Sequence, residues 1–378
     1  MQVINTNVMS LNAQRNLSGS SDALATSLQR LSSGLRINSA KDDAAGLAIA
    51  NRFTTQIRGM DQAGRNANDA ISLTQTAEGA LVEVGNNLQR IRELAVQSRN
   101  ATNSQTDRDA LNAEASQLLS EINRVAEQTS FNGVKLLDGS FSNQSFQIGA
   151  DVGQTIDVTS IVDATTANLG SYGRATVTTA VSTGFANALS AGDVTINGVD
   201  LGAIGAAASA SERSEQLMSA INKTSGESGV YAIKDTSNTI TLVSTTDDIV
   251  VAGAAGALTA DTGLTAATTA RATTTGISTV DISSVAGADA AMQAMDSALQ
   301  VINSTRADLG ALQNRFSSVV SNLQTSSENL SASRSRIVDT DFAKETASLT
   351  RAQILQQAGT AMLSQANSAP QGVLSLLR

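Results

Sequence analysis

Pairs of neighbouring carboxylates are the residues of this sequence best suited to chemistry. Asp42-Asp43, Asp247-Asp248 and the pair Asp339 and Asp341 have the spacing of acid–base pairs or weak cation ligands. No phosphate-binding loop accompanies them, since neither GxGxxG nor GxxxxGK occurs. The first and last pairs precede helical patterns, where a carboxylate stabilises a helix N-terminus. These two pairs therefore predict helix starts rather than catalysis. Asp247-Asp248 lies in a Thr-rich loop that could bind a cation weakly, and no cofactor or metal site is predicted.

The residue types that are missing exclude further chemistry. The 378 residues include no His, Cys or Trp, and Pro370 is the single proline. Without His and Cys there is no Ser-His or Cys-His relay, no HExxH zinc helix, no thiolate metal site and no disulfide. Lysines and tyrosines remain, so composition disfavours an enzyme without removing every route to one. The length predicts two or three domains.

Charge and hydropathy exclude two classes of partner. The net charge is −9, and the nine aromatic residues are too few for base-stacking platforms, which argues against nucleic-acid binding. Residues 141–286 hold 13 acidic against 5 basic residues, whereas both flanks are nearly balanced. The longest run of apolar residues and glycine, Ile249 to Leu258, is too short to span a membrane. The first residues lack the pattern of a secretory signal peptide.

The flanks carry heptads that predict long helices packed as coiled coils. From Met292 to Ile337 the steps alternate between three and four, and ten of fourteen seam positions are large and apolar. A similar seam runs from Phe53 to Leu88, with small residues at Gly64, Ala67 and Gly85 that would admit a close partner helix. A shorter seam follows from Leu111 to Val125, and Thr106 with Asp109 is the predicted capping box of that helix.

The middle of the chain predicts short strands with one helix. Asn197-Gly198 between two apolar triplets is typical of a two-residue hairpin. Ser209 with Glu212 is the predicted cap of a helix to Lys223, and two further strands are expected at 231–233 and 240–242. Residues 252–276 are rich in Ala, Gly and Thr and are expected to be loop or poorly packed strand. The fold class is mainly α with an inserted α+β domain.

The two chain ends give the strongest functional signal. Residues 2–14 and 352–377 contain no charged side chain but carry spaced apolar residues. Frayed termini are one interpretation, yet disordered tails tend to be charged, and a membrane-surface helix needs Lys or Arg. Burial against other protein molecules remains, which predicts a polymer. The predicted polymerisation seam consists of Val8, Leu11, Leu24, Leu28, Leu31, Leu355, Met362 and Leu363.

The segment Leu88–Ser98 has two interpretations. Its charged residues could form a solvated helix face with i,i+4 polar pairs, which physical arguments alone favour. An arginine cluster beside a large aliphatic residue is equally typical of a contact with another protein. The spacing of these residues does not decide between a solvated helix face and a contact with another protein.

Several long motifs resemble bacterial flagellins. They are Ser32-Ser-Gly-Leu-Arg-Ile-Asn-Ser-Ala-Lys-Asp-Asp through Arg52, the segment Leu88–Ser98, Gln128-Thr-Ser-Phe-Asn-Gly-Val-Lys135 and the ending Val373-Leu-Ser-Leu-Leu-Arg378. The resemblance covers about 1–170 and 285–378. The stretch from Asp193 to Ser244 resembles a small repeat found inside some flagellins.

The resemblance implies a self-polymerising subunit of the flagellar filament. It implies a terminal coiled-coil domain of residues 1–43 and 340–378 lining the filament interior. It also implies a helical core domain of 44–170 and 286–339, with a β-hairpin region near 131–165. Residues 171–285 would form a variable domain projecting from the surface. The protein would be exported through the flagellar type III channel and located in the extracellular filament.

The resemblance also implies partners. These are further copies of the chain, the filament cap, hook-associated junction proteins, an export chaperone for the last helix and Toll-like receptor 5 of hosts. Receptor recognition is assigned by resemblance to Arg90, Leu94 and Glu114. The chaperone and a cytosolic inflammasome sensor are assigned to the C-terminal segment Val373, Leu374, Leu376, Leu377 and Arg378.

Two alternatives to a filament subunit remain open, and a third is disfavoured by composition. A hook–filament junction protein shares the terminal design, although the intact motifs at 88–98 and 373–378 favour a filament subunit. Some flagellins carry a zinc protease in the middle, but the absence of His removes its metal-binding motif here. A coiled-coil adhesin would bind a surface ligand through residues 171–285.

Overall fold

A computed structural model describes residues 6–181, 184–236, 238–254 and 257–375, and for residues 235, 236, 257 and 369–375 it describes the backbone alone. Its main elements are the helices α1 (Val8–Ser33), α2 (Ala44–Ser98), α3 (Gln105–Gln128), α4 (Ala210–Lys223), α5 (Ser225–Ser228), α6 (Val285–Val338) and α7 (Phe342–Ser375). The described chain forms two compact units, 1–68 with 147–155 and 318–378, and 69–146 with 156–317.

In the first unit, α1 and α7 form an antiparallel pair. Asn7 Nδ2 donates to Ala366 O at 2.8 Å, and Ser10 Oγ donates to Asn367 Oδ1 at 2.7 Å. At the other end of the pair, the segment after α1 is bonded to the last turn of α6. There Arg36 Nη2 donates to the carbonyl oxygen of Ile337 at 2.6 Å. A β-bridge joins Leu35 to Asp339 there. The terminal segments predicted to pair are thus neighbours along their helical length.

Asp42 and Asp43, predicted together at a helix start, have different roles at the start of α2. The helix begins at Ala44, and Asp43 Oδ1 accepts from Gly46 N at 2.9 Å. Asp42 instead closes the preceding turn, accepting from Asn38 N, Ser39 N and Ser39 Oγ. These three donors lower the pKa of Asp42, the Ser39 N–H most strongly.

In the second unit, α2 and α6 pack antiparallel. Gln313 Nε2 donates to Glu78 Oε2 at 2.8 Å, and Arg92 Nε donates to Asp296 Oδ1 at 2.6 Å. A Cβ added at Gly85 would lie 3.9 Å from Ile302 Cγ2, an ordinary contact distance, whereas a Cβ at Gly64 would meet no atom within 4 Å, so the close approach expected at these glycines is not seen at Gly64. Phe316 packs edge-on against Phe146 with ring centroids 6.0 Å apart. This interior is filled by large side chains that are fully buried, among them Leu81, Leu88, Ile91, Leu94 and Ile122.

Short strands follow α3. The pairs β1 (Ser130–Phe131) with β2 (Val134–Lys135), and β3 (Ser142–Gln147) with β4 (Thr155–Ser160), are the two-stranded sheets of the hairpin region. The first is joined by Asn132-Gly133, both with positive φ. Predicted capping at Thr106 and Asp109 is wrong by two residues, because Ser104 and Asp107 form the reciprocal capping box of α3.

The insertion contains two four-stranded antiparallel sheets. Their strands are β5 (Ser171–Ala180), β6 (Val194–Ile196), β7 (Val199–Asp200), β8 (Val230–Thr236), β9 (Thr239–Ser244), β10 (Ile249–Gly253), β11 (Ala267–Thr269) and β12 (Ala272–Thr275), in the orders β12-β5-β9-β8 and β11-β10-β6-β7. The Asn197-Gly198 hairpin and the strands at 231–233 and 240–242 are confirmed. Ser209 caps α4 as expected.

One prediction for the insertion needs correction. The strands at Ala267–Thr269 and Ala272–Thr275 are mostly exposed, as expected, but the stretch before them is packed, because Leu258 and Leu264 are fully buried around a π-helical turn at Ala257–Thr262. Their side chains join the core formed by α4 and the strands. The burial of these leucines could not be predicted from the sequence, because a few leucines among Ala, Gly and Thr form no regular apolar pattern.

Candidate assembly surface and receptor site

The first unit has little apolar interior of its own. Among its described side chains the buried apolar ones are Ile37, Ala50, Ala63, Ala67, Val338, Ala352 and Ala366, of which five are alanines. An alanine covers little area, and hydrophobic stabilisation is roughly proportional to apolar area removed from water. Burial within this unit is therefore small compared with that in the second unit, whose interior contains many leucines, isoleucines and valines.

The large apolar residues of the first unit are on its surface instead. Ten of the fourteen exposed large apolar side chains of the described chain lie in this unit. In α1, Val8, Leu11 and Leu28 are 58%, 51% and 50% exposed. In α7, Leu355 and Met362 are 52% and 67% exposed. The remaining predicted seam residues Leu24, Leu31 and Leu363 are half-buried, so no member of the predicted polymerisation seam is buried within the chain.

A groove of about 1050 Å³ runs between α1 and α7. Small residues form much of its floor, including Ala13, Gly19, Ala23 and Gly359. The helices approach closely there, since a Cβ on Gly359 would lie 3.2 Å from Leu17 Cδ1. Met9, Leu355 and Met362 are its large apolar lining residues, and Arg15 and Arg351 are its charged ones. Small residues beside large apolar ones make a groove into which the side chains of another helix can pack.

Sequence reasoning missed part of this surface. Met9, Ile354 and Phe342 are 69%, 60% and 58% exposed and were absent from the predicted seam. Met9 and Ile354 directly neighbour seam members, so a strict heptad count passes over them. Phe342 is the first residue of α7. Met9 and Ile354 lie in the uncharged stretches 2–14 and 352–377, whereas Phe342 is flanked by Asp341, Lys344 and Glu345, so no single sequence signal marks all three.

The predicted receptor residues occupy different environments. Arg90 is exposed, and its Nε and Nη2 donate to Glu114 Oε1 at 3.0 and 2.9 Å. Its Nη1 donates to Glu93 Oε2 at 3.1 Å. Hydrogen bonds to Glu114 and then Glu93 raise the pKa of Arg90. Leu94 is fully buried, so the structure brings Arg90 and Glu114 together on the surface but places Leu94 beneath it.

The C-terminal segment predicted to bind the chaperone and the inflammasome sensor lies mostly outside the described residues. Val373 and Leu374 belong to α7 by their backbone. Leu376, Leu377 and Arg378 lie outside the described residues. Within the described ranges no group of three or more metal-ligating side chains occurs, and no helix is long and apolar enough to cross a membrane.

Comparisons with known proteins identify the family. Residues 4–142 match the bacterial flagellin N-terminal helical region, and residues 292–377 match the C-terminal helical region. Flagellin D of Vibrio cholerae serotype O1 is 45% identical over 387 residues, which cover 99% of each chain. Flagellin D of Vibrio anguillarum is 45% identical over 382 residues with the same coverage. The solved structure of FliC from Burkholderia pseudomallei is 26% identical, covering 65% of this chain and 99% of that one, with a TM-score of 0.39.

These matches define a flagellar structural protein with terminal helical regions. The chain belongs to the bacterial flagellin family.

Proposed function

We propose that this chain is the subunit of a bacterial flagellar filament and that it polymerises by burying the exposed apolar faces of α1 and α7 against neighbouring copies. The observation that carries the proposal is the contrast between a thin alanine interior and ten exposed large apolar side chains in the same unit. Complete burial of a fully exposed side chain of this size contributes about 1.5–3 kcal/mol, and burying the exposed half of one contributes roughly half as much. Many weak contacts of this kind repeated along a polymer are cooperative and reversible.

The lack of charge at the ends supports the same mechanism. An unpaired charge inside a subunit interface costs several kcal/mol, whereas Asn, Gln, Ser and Thr find hydrogen-bond partners in any close-packed neighbour. Residues 352–377 contain only such polar side chains beside the apolar ones. Full-length identity to filament proteins favours a filament subunit over a hook–filament junction protein.

Single aspartate substitutions at Leu355 and Met362 test this mechanism. Both side chains are exposed in the isolated chain, so Leu355→Asp and Met362→Asp should leave its circular dichroism and melting temperature unchanged. Polymerisation, followed by light scattering and electron microscopy, should be lost, because the carboxylate would be buried between subunits. Thr265→Asp, at an exposed position of the insertion, adds the same charge and should polymerise normally. Long filaments from the Leu355 and Met362 variants would refute the proposed interface.

Export and the remaining partners follow from this role. A filament subunit must leave the cell before it polymerises, and exposed apolar helices would associate prematurely inside it. A chaperone that covers α7 until export prevents this, and the segment from Val373 to Arg378 belongs to the end it would hold. Filament growth then requires a cap at the tip and junction proteins at the base, with the type III channel as the route out.

We also propose that the surface around Arg90 and Glu114 is recognised by Toll-like receptor 5. Arg90 is held in place by two carboxylates and presents a rigid guanidinium edge. Leu94 contributes by supporting this surface from below rather than by direct contact, because its side chain is fully buried.

A receptor reporter assay separates these roles. Arg90→Ala should reduce signalling by a large factor without changing stability, since the exposed ion pair contributes little to folding. Arg124→Ala is the matched control, because Arg124 is an exposed helical arginine that pairs with Glu121 in the same unit. Leu94→Ala should instead lower the free energy of unfolding by about 2–5 kcal/mol. Equal signalling by the Arg90 and Arg124 variants would contradict the assignment.

A further inference from the structure

The chain contains two Asn-Gly sequences in closely matched surroundings. One is Phe131-Asn132-Gly133-Val134 and the other is Ile196-Asn197-Gly198-Val199. Both occupy the two central positions of an antiparallel hairpin, with φ of +50° and +82° at the first site and +52° and +79° at the second. Sequence and backbone therefore give the two asparagines nearly the same intrinsic reactivity.

Asparagine followed by glycine undergoes a well-understood spontaneous reaction. The backbone nitrogen of the glycine attacks Cγ of the asparagine, the new N–Cγ bond forms, and the Cγ–Nδ2 bond breaks. The proton lost by the glycine nitrogen leaves with the amide as ammonia, which gives a five-membered succinimide. Water then opens either carbonyl of the ring, leaving aspartate or isoaspartate with one new negative charge. The reaction requires the side-chain amide to rotate towards the following nitrogen.

The structure holds the amide of Asn197 on both sides. Val250 N donates to Asn197 Oδ1 at 2.7 Å, and Asn197 Nδ2 donates to Ser228 O at 2.9 Å. The backbone is fixed as well, since Asn197 N donates to Val250 O at 2.8 Å. Cyclisation at this site has to break both amide hydrogen bonds, so the folded state protects Asn197.

Asn132 has no comparable restraint. It is exposed, and no described residue forms a hydrogen bond with its side chain. Its hairpin consists of two residue pairs, Ser130 with Lys135 and Phe131 with Val134, and one further backbone hydrogen bond, from Leu136 N to Thr129 O at 3.1 Å. A Cβ built on Gly133 meets no atom within 4 Å, and the same is true of Gly198, so the contrast between the two sites lies in the hydrogen bonds of the asparagine side chains. The amide can rotate and the turn can open without disturbing a larger sheet.

From this contrast we infer that Asn132 is a site of spontaneous deamidation and isoaspartate formation in the folded protein, whereas Asn197 is protected. The reaction needs only water. The product places a carboxylate close to the C-terminal end of α3, where Lys135 Nζ donates to Glu127 O at 2.5 Å. Negative charge is unfavourable at a helix C-terminus, so the modification changes both the charge and the backbone length of this turn.

Peptide mapping by mass spectrometry tests the inference on the full chain. The purified protein is incubated at neutral and mildly alkaline pH, and the amide-to-acid mass change is followed at both sites, with an isoaspartyl methyltransferase detecting the isoaspartate product. In the folded protein, Asn132 should convert several-fold faster than Asn197. Equal rates at the two sites, or a faster reaction at Asn197, would overturn the proposal.

Two controls assign the difference to the fold. In concentrated urea the two sites should react at indistinguishable rates, because their neighbouring residues are so similar; a persistent preference for Asn132 there would show that sequence alone decides and would overturn the role of the fold. Asn132→Gln, which would have to form a larger ring, should abolish the modification at that turn. Asn197 should remain protected in that variant, and circular dichroism reports whether its fold is intact.

Discussion

The N-terminus of α3 shows how a single residue decides where a helix begins. Ser104 Oγ accepts from Asp107 N, while Asp107 Oδ2 accepts from Ser104 N at 2.9 Å and from Ser104 Oγ at 2.7 Å. The hydrogen bonds from Ser104, first its hydroxyl and then its N–H, lower the pKa of Asp107. The lowered pKa means that the folded state favours the ionised carboxylate.

We predict that Ser104→Ala destabilises the second unit in a pH-dependent way. At neutral pH the loss of the cap should cost about 1 kcal/mol. A carboxyl whose pKa is lower in the folded state stabilises that state above its unfolded pKa, and this contribution is lost as pH falls through the folded value. The difference between wild type and variant should therefore shrink in acid. Urea denaturation across the acid range measures it, and carbon NMR should show the pKa of Asp107 rising in the variant.

Ser116→Ala provides the control, since Ser116 is an exposed serine within the same helix. It should leave both the stability and the pKa of Asp107 unchanged. The sequence predicted a cap for α3 but placed it at Thr106 and Asp109. Both pairs have the same spacing and chemistry, and the choice between them depends on where the preceding loop leaves α2, which no local pattern encodes.

At the scale of elements, α6 places one heptad position in two environments. Leu309, Phe316, Leu323 and Leu330 follow each other at intervals of seven residues. Leu309 and Phe316 are 2% and 0% exposed in the second unit. Leu323 and Leu330, in the first unit, are only half-buried. The pattern correctly predicted a continuous helix with one apolar seam, but equal spacing contains no information about how many neighbours cover each part of it.

Because of this difference, we predict that leucine-to-alanine substitutions at Leu309 and Leu330 rank in opposite order for monomer stability and for polymerisation. Leu309→Ala should lower the free energy of unfolding of the isolated chain by about 2–5 kcal/mol, because it leaves a cavity in a filled interior. Leu330→Ala should cost the isolated chain clearly less, since part of its side chain is already in water. The filament should show the reverse order in critical concentration if neighbouring subunits complete the burial of Leu330. Calorimetry of the monomer and sedimentation of the polymer measure the two quantities, and a critical concentration unaffected by Leu330→Ala would show that this part of the seam stays outside the interface.

Across the whole molecule, some features could be predicted from the sequence and others could not. The α-helical flanks, the uncharged ends and the insertion were all visible in composition and periodicity. The hydrogen bonds that hold Asn197, the burial of Leu94 and the packing of Leu258 were not, because each depends on contacts between segments far apart in sequence. The absence of Cys and the single Pro370 would suit the proposed export and refolding, since neither stray disulfides nor several slow prolyl isomerisations would delay folding outside the cell.

The ends of the insertion lead to a prediction for the complete chain. Gly276 N donates to Gly170 O at 2.9 Å, and Ile277 N donates to Thr166 O at 2.7 Å, so the chain leaves and re-enters the helical part at one place. Residues 171–275 hold nine acidic and five basic residues and have their own apolar core. Joining Gly170 to Gly276 through a short glycine linker should therefore remove this domain without moving α2 or α6.

The shortened chain should still form filaments, because every exposed apolar residue of α1 and α7 is retained. Its far-ultraviolet circular dichroism should show a higher helical fraction, and its filaments should be thinner by electron microscopy if the insertion projects from the surface. Adding Leu355→Asp to the shortened chain should abolish polymerisation. This result would show that the shortened chain assembles through its terminal helices. A shortened chain that folds, with α-helical circular dichroism, but remains monomeric would show instead that the insertion supplies subunit contacts of its own.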